Sequence, residues 1–278
     1  MNAGIVGLGL IGGSFAKAMK EKGSITVYGY DINESSFLAA KMTHAVDEKL
    51  TDDTLGLCDV IIISLYPTAC IDFIKEKAGF IKKDAVVIDT CGVKKCVCDE
   101  IQPIAEKHGF SFIGGHPMAG TQYSGFSHSK ATLFKGASMI MCPGNTSLDT
   151  TENTKLFFLS LGFGSVVFCT PEFHDSQIAF TSQLAHVVSN AYIKSPAAQE
   201  HKGFSAGSYK DLTRVARLNP AMWSELFMKN KDNLCREIDG IIDELKKYSD
   251  AIKASDIKAL EDLLADGVAK KLSAENRK

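Results

Sequence analysis

Ala3-Gly-Ile-Val-Gly7-Leu-Gly9-Leu-Ile-Gly12-Gly-Ser14 decides the fold. A short apolar run feeds three glycines spaced GxGxxG, and an amphipathic stretch then runs from Gly13-Ser14 to about Lys22. A second strand, Ile25-Thr-Val-Tyr-Gly-Tyr30, ends at Asp31, 19 residues beyond Gly12. Strand, glycine loop, helix and strand in that order form a dinucleotide-binding unit. The first glycine makes the tight turn, the second lets backbone approach a pyrophosphate, and the third lets helix meet strand. The helix N-terminus presents unpaired N–H groups and its positive dipole end to the phosphates. An acid ending the second strand accepts from a ribose 2′-hydroxyl and repels a 2′-phosphate, so Asp31 favours NAD over NADP; its alternative role is a helix cap. The expected cofactor contacts are Gly7, Gly9, Leu10, Ile11, Gly12 and Asp31, with Ser64 ending a later strand.

The alternation continues. Asp59-Val-Ile-Ile-Ile-Ser64 and Asp84-Ala-Val-Val-Ile-Asp89 are β-branched runs of the kind buried on both faces of a parallel sheet. Helical patterns fill roughly Pro67 to Ala78 and Lys94 to His108, and further strands are expected at 110–114, 137–141 and 164–169. After Thr170-Pro171 the strand signal ends, and helices are expected near 172–195, 209–217, 220–252 and 255–275, with Asn219 capping the third. The expected fold is therefore an α/β Rossmann-type domain, residues 1–170, followed by an all-α domain, residues 171–278. Ile238, Ile241, Ile242 and Leu245 recur at helical spacing in excess of what one thin helical layer buries, which points to a homodimer formed through the helices.

Composition narrows the class. A net charge of −2 gives no footprint for nucleic acid, and no stretch reaches the roughly 18 apolar residues of a membrane span. The chain enters a strand at Ala3 without room for a signal peptide, so a cytoplasmic location is expected. The eight cysteines are scattered, and Cys96-Val-Cys98 lacks the spacing of a zinc site. Free thiols in a reducing compartment, and no metal, are expected.

The chemistry centres on Phe112-Ile-Gly-Gly-His116-Pro-Met-Ala-Gly-Thr-Gln-Tyr-Ser-Gly125, a strand tail that becomes a glycine-rich loop. His116 stands where the strand gives out, the edge at which open α/β sheets bind ligands. An imidazole of ordinary pKa near 6.5 is suited to accept a hydroxyl proton during hydride transfer.

This segment, following Asp89-Thr-Cys-Gly-Val-Lys94, resembles the prephenate dehydrogenases. So do Thr170-Pro-Glu-Phe-His-Asp175, Thr181-Ser-Gln-Leu-Ala-His186, Tyr209-Lys-Asp-Leu-Thr-Arg-Val-Ala216 and Asn219-Pro-Ala-Met-Trp223, in the family's order from about residue 3 to beyond Trp223. The resemblance implies NAD-dependent oxidative decarboxylation of prephenate to 4-hydroxyphenylpyruvate, a tyrosine precursor, with His116 as the catalytic base. It implies substrate contacts from Arg214, His186, Gly207 and Gln122. Asp211, three residues before Arg214, is the alternative partner that would make the arginine a surface ion pair, and Arg217 is a local competitor. His174 matches a family position, with a role expected either in the structure or in supporting the site residues from behind, and Trp223 is expected as a core anchor.

Two departures stand out. Gly92 occupies the place where many relatives carry serine, which removes a hydroxyl that could hydrogen-bond His116 or the substrate; Thr90, Cys91, a water or a different geometry is the expected substitute. Gln122 replaces the glutamate of some relatives, which weakens any selection by charge for arogenate, the amino-acid counterpart of prephenate. Arogenate is the alternative substrate, giving tyrosine directly. A two-domain β-hydroxyacid dehydrogenase is a more distant alternative; Lys194 lacks the motif of its catalytic lysine.

Overall fold

A computed structural model describes residues 1–121 and 123–276. They form two compact units, divided between Asn230 and Lys231.

The first unit begins with β1 (Asn2–Val6), α1 (Leu10–Glu21), β2 (Thr26–Tyr30), α2 (Glu34–Met42), β3 (Glu48–Lys49) and α3 (Asp52–Leu55). It continues through β4 (Val60–Ile63), α4 (Pro67–Lys77), β5 (Val86–Asp89), α5 (Lys95–His108) and β6 (Ser111–Pro117). The sheet closes with β7 (Ser138–Cys142), α6 (Leu148–Ser160) and β8 (Ser165–Phe168). Strand order is β3-β2-β1-β4-β5-β6-β7-β8, parallel except for the antiparallel β6–β7 pair. The seven expected strands are present; the two-residue β3 is an addition too short to show a periodicity.

Alternate residues of β4 point to opposite faces. Ile62 joins a cluster with Phe15, Phe134, Phe158 and Phe163, whereas Ile61 and Ile63 meet Ile74, Val97 and Ile101 on the other side. Helices thus cover both faces, which is why these strands read as unbroken apolar runs.

The sequence of β6 explains its change of partner. Ser111, Phe112 and Ile113 pair with β5, but β5 ends at Asp89, and Gly114 to Pro117 pair with β7 instead. The side of Gly115 that faces away from β7 is satisfied by side chains. Its N–H donates to Asp89 Oδ1 at 3.0 Å, and its carbonyl accepts from Lys94 Nζ at 2.6 Å. Asp89 and Lys94 are themselves ion-paired with both side chains fully buried. A Cβ at Gly115 would lie 2.5 Å from the Asp89 carbonyl oxygen, so only glycine admits this closeness.

The later helices of this unit are α7 (Pro171–Ile178), a π-helical stretch (Ala179–Leu184), α8 (Ala185–Tyr192), α9 (Gly207–Thr213) and α10 (Pro220–Lys229). The helix expected over 172–195 is present but contains that π segment, which hydrophobic spacing does not reveal. The helix expected over 220–252 is interrupted at Asn230. There the buried Asn230 amide donates to the Asp175 carbonyl at 2.8 Å and to Gln183 Oε1 at 2.9 Å. Glu225 of α10 accepts from the Thr68 N–H in the first turn of α4 at 2.7 Å, a favourable anion at a helix N-terminus.

The second unit is a helical hairpin of α11 (Lys231–Lys253) and α12 (Ile257–Glu275), in which the Tyr248 hydroxyl donates to the Leu263 carbonyl at 3.2 Å. Ile242, Leu245, Ile252, Leu264, Val268 and Leu272 are exposed along it.

Replacing Lys94 with methionine leaves Asp89 buried without its cation, so unfolding free energy should fall by about 3–5 kcal/mol. Urea unfolding followed by circular dichroism measures this. A change within about 0.5 kcal/mol, as at neutral surface sites, would mean that backbone donors alone hold Asp89.

Candidate active site

β1, β4, β5 and β6 run in parallel, so the segments after their carboxyl ends share one edge of the sheet. That edge holds the glycine loop after β1, Ser64 after β4, Thr90-Cys91-Gly92 after β5, and His116 at the end of β6. From β1 to β6 is three strand spacings, about 14 Å.

The glycine loop has the shape its spacing predicts. Gly7 has φ +88°, a conformation open to glycine, and a Cβ at Gly12 would lie 1.9 Å from the Gly7 carbonyl oxygen. A Cβ at Gly9 would meet nothing within 4 Å, so this backbone faces open space as α1 begins at Leu10-Ile11. The Ser64 hydroxyl, whose Cβ lies 3.1 Å from the site of a Gly12 Cβ, is buried without a hydrogen-bond partner among the described residues. An orphaned hydroxyl beside an open glycine backbone fits a phosphate-bearing ligand. Asp31 accepts from the Leu8 N–H at 2.7 Å and the Asn33 N–H at 2.8 Å. It therefore braces the loop with one oxygen, while Asn33, not Asp31, caps α2. Each carboxylate oxygen retains a second acceptor position.

His116 is half-buried. Its Nδ1 lies 2.8 Å from His174 Nε2, and His174 Nδ1 lies 2.7 Å from Asp175 Oδ1. Asp175 also accepts the Lys94 and Lys95 backbone N–H groups at 2.7 and 2.9 Å, at the start of α5. Thr170 places this pair: its hydroxyl caps α7 by accepting from the Phe173 N–H, and Pro171 occupies the first turn. His116 Nε2 makes no hydrogen bond among the described residues. Burial, then the neighbouring His174 and the Lys94 charge, holds the His116 pKa well below the ordinary imidazole value. Burial likewise lowers His174, against the upward pull of Asp175. At Gly92 a Cβ would meet only Leu226, at 3.4 Å.

A second cluster lies on α8, α9 and α10. The His186 ring lies against Trp223, tilted by 30° with centroids 3.8 Å apart, and His186 Nδ1 donates to the Ser182 carbonyl at 2.9 Å within the π segment. Trp223 is thus a ring partner of His186 rather than a buried anchor; it is only partly buried. Both line a cavity of about 230 Å³ with Asn190, Lys194, Leu218 and Phe227. Burial, and then the charge of Arg214, lowers the His186 pKa, while the Ser182 carbonyl raises it. Arg214 is exposed at the end of α9 and forms no ion pair, with Asp211 or otherwise, among the described residues. Gly207 opens α9 with nothing within 4 Å of a notional Cβ. Gln122 lies outside the described residues.

The described contacts thus join His116 to His174, and His186 to Trp223, without joining His116 directly to His186 or Arg214. The link is indirect: Gln183, between the two histidines of α7 and α8, shares Asn230 with the Asp175 backbone. Asp175, Asn230 and Asp89 were not legible as site residues. The only cue for the first was the His174-Asp175 dipeptide behind a capped helix start.

Comparison with known proteins gives the family. Residues 15–165 match the model of the prephenate dehydrogenase nucleotide-binding domain, and residues 170–266 that of the prephenate dehydrogenase dimerization domain. The chain belongs to the prephenate dehydrogenase family. It is 29% identical to the prephenate dehydrogenase of Bacillus subtilis, covering 92% of this chain and 71% of that one. It is 30% identical to the cyclohexadienyl dehydrogenase of Zymomonas mobilis, covering 91% and 88%. The crystal structure of prephenate dehydrogenase from A. aeolicus in complex with hydroxyphenyl propionate and NAD+ superposes with a TM-score of 0.83 at 29% identity, covering 99% of this chain and 98% of that one.

Because His116 and His174 are held neutral, His116 should remain unprotonated at pH 6.5, where a free imidazole is half protonated. An NMR titration of its ring protons reads this directly, and a midpoint at or above 6.5 would refute the burial argument. The consequence for stability has a definite sign. Below about 6.5 the unfolded chain binds protons on these rings that the folded chain does not, so stability falls as pH drops through that value.

Proposed function

We propose that the chain oxidatively decarboxylates prephenate to 4-hydroxyphenylpyruvate, with NAD as hydride acceptor, and that His116 is the base. The observation that carries this is His116 itself: a half-buried neutral imidazole at the end of β6, one nitrogen engaged by His174 and the other without a partner among the described residues. NAD, when bound, supplies the site that takes the hydride from the ring carbon bearing the hydroxyl. The residues that would hold it are Gly7, Gly9, Leu10, Ile11 and Gly12, with Asp31 toward the ribose and Ser64 toward the phosphates. The open backbone at Gly9 and the Ser64 hydroxyl, unpartnered among the described residues, support this assignment.

His116 accepts the hydroxyl proton as the carbon–oxygen bond gains carbonyl character. Loss of CO2 then makes the ring aromatic, which supplies the driving force. The chain's task is to orient the substrate and hold charge, rather than to force a difficult bond change. Arg214 is the proposed carboxylate partner: its guanidinium has no internal anion among the described residues, and its planar fork matches a carboxylate. His186, Gly207 and Gln122 complete the substrate side of the proposal. The helical half, 171–278, is proposed as the part that binds substrate and pairs two copies. The dimerization-domain match and the exposed apolar residues of α11 and α12 support that division. A cytoplasmic setting suits eight cysteines that are all free, and no helix among the described residues is long and apolar enough to cross a membrane.

Arogenate is the second substrate to weigh, because the Zymomonas mobilis relative carries the broader cyclohexadienyl name. An assay of NADH formation with prephenate and arogenate, each with NAD and NADP, separates these. Prephenate with NAD should have the highest kcat/KM; a preference for arogenate would overturn the assignment. His116→Asn should lower kcat by about 10²- to 10⁴-fold with NAD affinity unchanged. Turnover within a few-fold of the parent would remove His116 as the base.

A further inference from the structure

We infer that His174, held by Asp175, is a positioning residue that fixes His116 as its Nδ1–H tautomer and so makes Nε2 the atom that accepts the substrate's proton. The inference rests on His116 being the base and goes on to name the atom and the device that selects it.

The chain of donors is ordered from the far end. The Lys94 and Lys95 backbone N–H groups can only donate, and both Asp175 oxygens receive them. A carboxylate has no proton to offer, so His174 Nδ1, 2.7 Å from Asp175 Oδ1, must be the donor in that bond. The His174 side chain has no exposed surface, and burial keeps the ring neutral. A neutral imidazole with its proton on Nδ1 carries the lone pair on Nε2. That lone pair faces His116 Nδ1 at 2.8 Å, so His116 Nδ1 must donate. His116 is left with its own lone pair on Nε2.

An imidazole free in water favours the opposite tautomer, with the proton on Nε2. Left to itself, His116 would therefore spend most of its time with a proton where the base must be empty. The buried partner reverses that preference. The logic is that of an acid orienting a catalytic histidine, with one more imidazole inserted between them. In the reaction the substrate's O–H bond breaks, its electron pair stays on oxygen, and an N–H bond forms at His116 Nε2. The resulting imidazolium donates to His174 more strongly than the neutral ring did, and Asp175 stabilises the charge through the intervening ring. Gly92 provides no side chain for this task and is covered by Leu226, so orientation of His116 falls to α7.

Long-range nitrogen–proton correlation NMR on the histidine-labelled full chain reads the tautomer, with His116→Asn identifying the resonances. Wild type should show His116 with the proton on Nδ1 and a bare Nε2. In His174→Phe the Nε2–H form should become the major one. Its kcat should fall about 10²- to 10⁴-fold, as for a catalytic histidine in the wrong tautomer, with KM for NAD unchanged. His174→Gln, whose amide both donates and accepts, should recover most of the loss and the native tautomer. A wild-type His116 protonated on Nε2 would overturn the inference, even where a variant fails to fold. An unchanged tautomer in His174→Phe would also overturn it. Because the tautomer is read without substrate, it is independent of whether prephenate is turned over.

Discussion

The buried ion pair between Asp89 and Lys94 is the constraint on which the site depends. β5 stops short of β6, and a strand continuing past its neighbour has a row of unpaired backbone groups. Here one carboxylate oxygen takes the Gly115 N–H and one ammonium proton takes the Gly115 carbonyl, in place of the missing ladder. Burying two charges is costly and is tolerated only when both are paired and hydrogen-bonded. The Cys91 N–H, donating to Asp89 Oδ2 at 2.9 Å, completes that satisfaction. The result is a rigid strand end with His116 as the next residue. The same lysine supplies the positive charge that helps hold the His116 pKa down, so one interaction both mounts the base and tunes it.

From that strand end the geometry runs outward through hydrogen bonds. Lys94 also stands immediately before α5, and its backbone N–H reaches Asp175 of α7, so the turn that closes the ion pair also anchors His174. Asp175 in turn passes through Asn230 to Gln183, inside the π segment that precedes His186. A π turn inserts a residue and rotates the helical turns after it, a device common near functional sites. Here His186, two residues after that segment, lies against Trp223. The base and the proposed substrate pocket are therefore tied together through buried amides rather than by direct contact.

The sheet and the glycine loop were legible because their signals are local. β-branched runs of fixed length, a GxGxxG spacing and an acid at the next strand end each arise from backbone sterics within a few residues. His116 was legible for the same reason, as the polar residue where an apolar strand ends. What joins His116 to its surroundings was not local. Asp89 lies 26 residues from Gly115, and Asp175 lies 81 from Lys94, so no periodicity could pair them. His174 is expected as a structural or supporting residue, but which residue it supports is not legible because that partner is 58 positions away. The break at Asn230 hides within a run of good helical pattern, because a buried amide overrides propensity without changing the apolar spacing. Trp223 departs from the expected core anchor because aromatic size suggests burial, whereas its face is taken by a histidine ring.

A crystal structure of the chain with NAD and hydroxyphenyl propionate, the ligand pair named for the A. aeolicus relative, tests the central claim most directly. The phenol oxygen should lie within about 3 Å of His116 Nε2, with His116 Nδ1 still on His174 and the ligand's carboxylate at Arg214. A phenol oxygen bound elsewhere, or facing Nδ1 with the contact to His174 broken, would contradict the account.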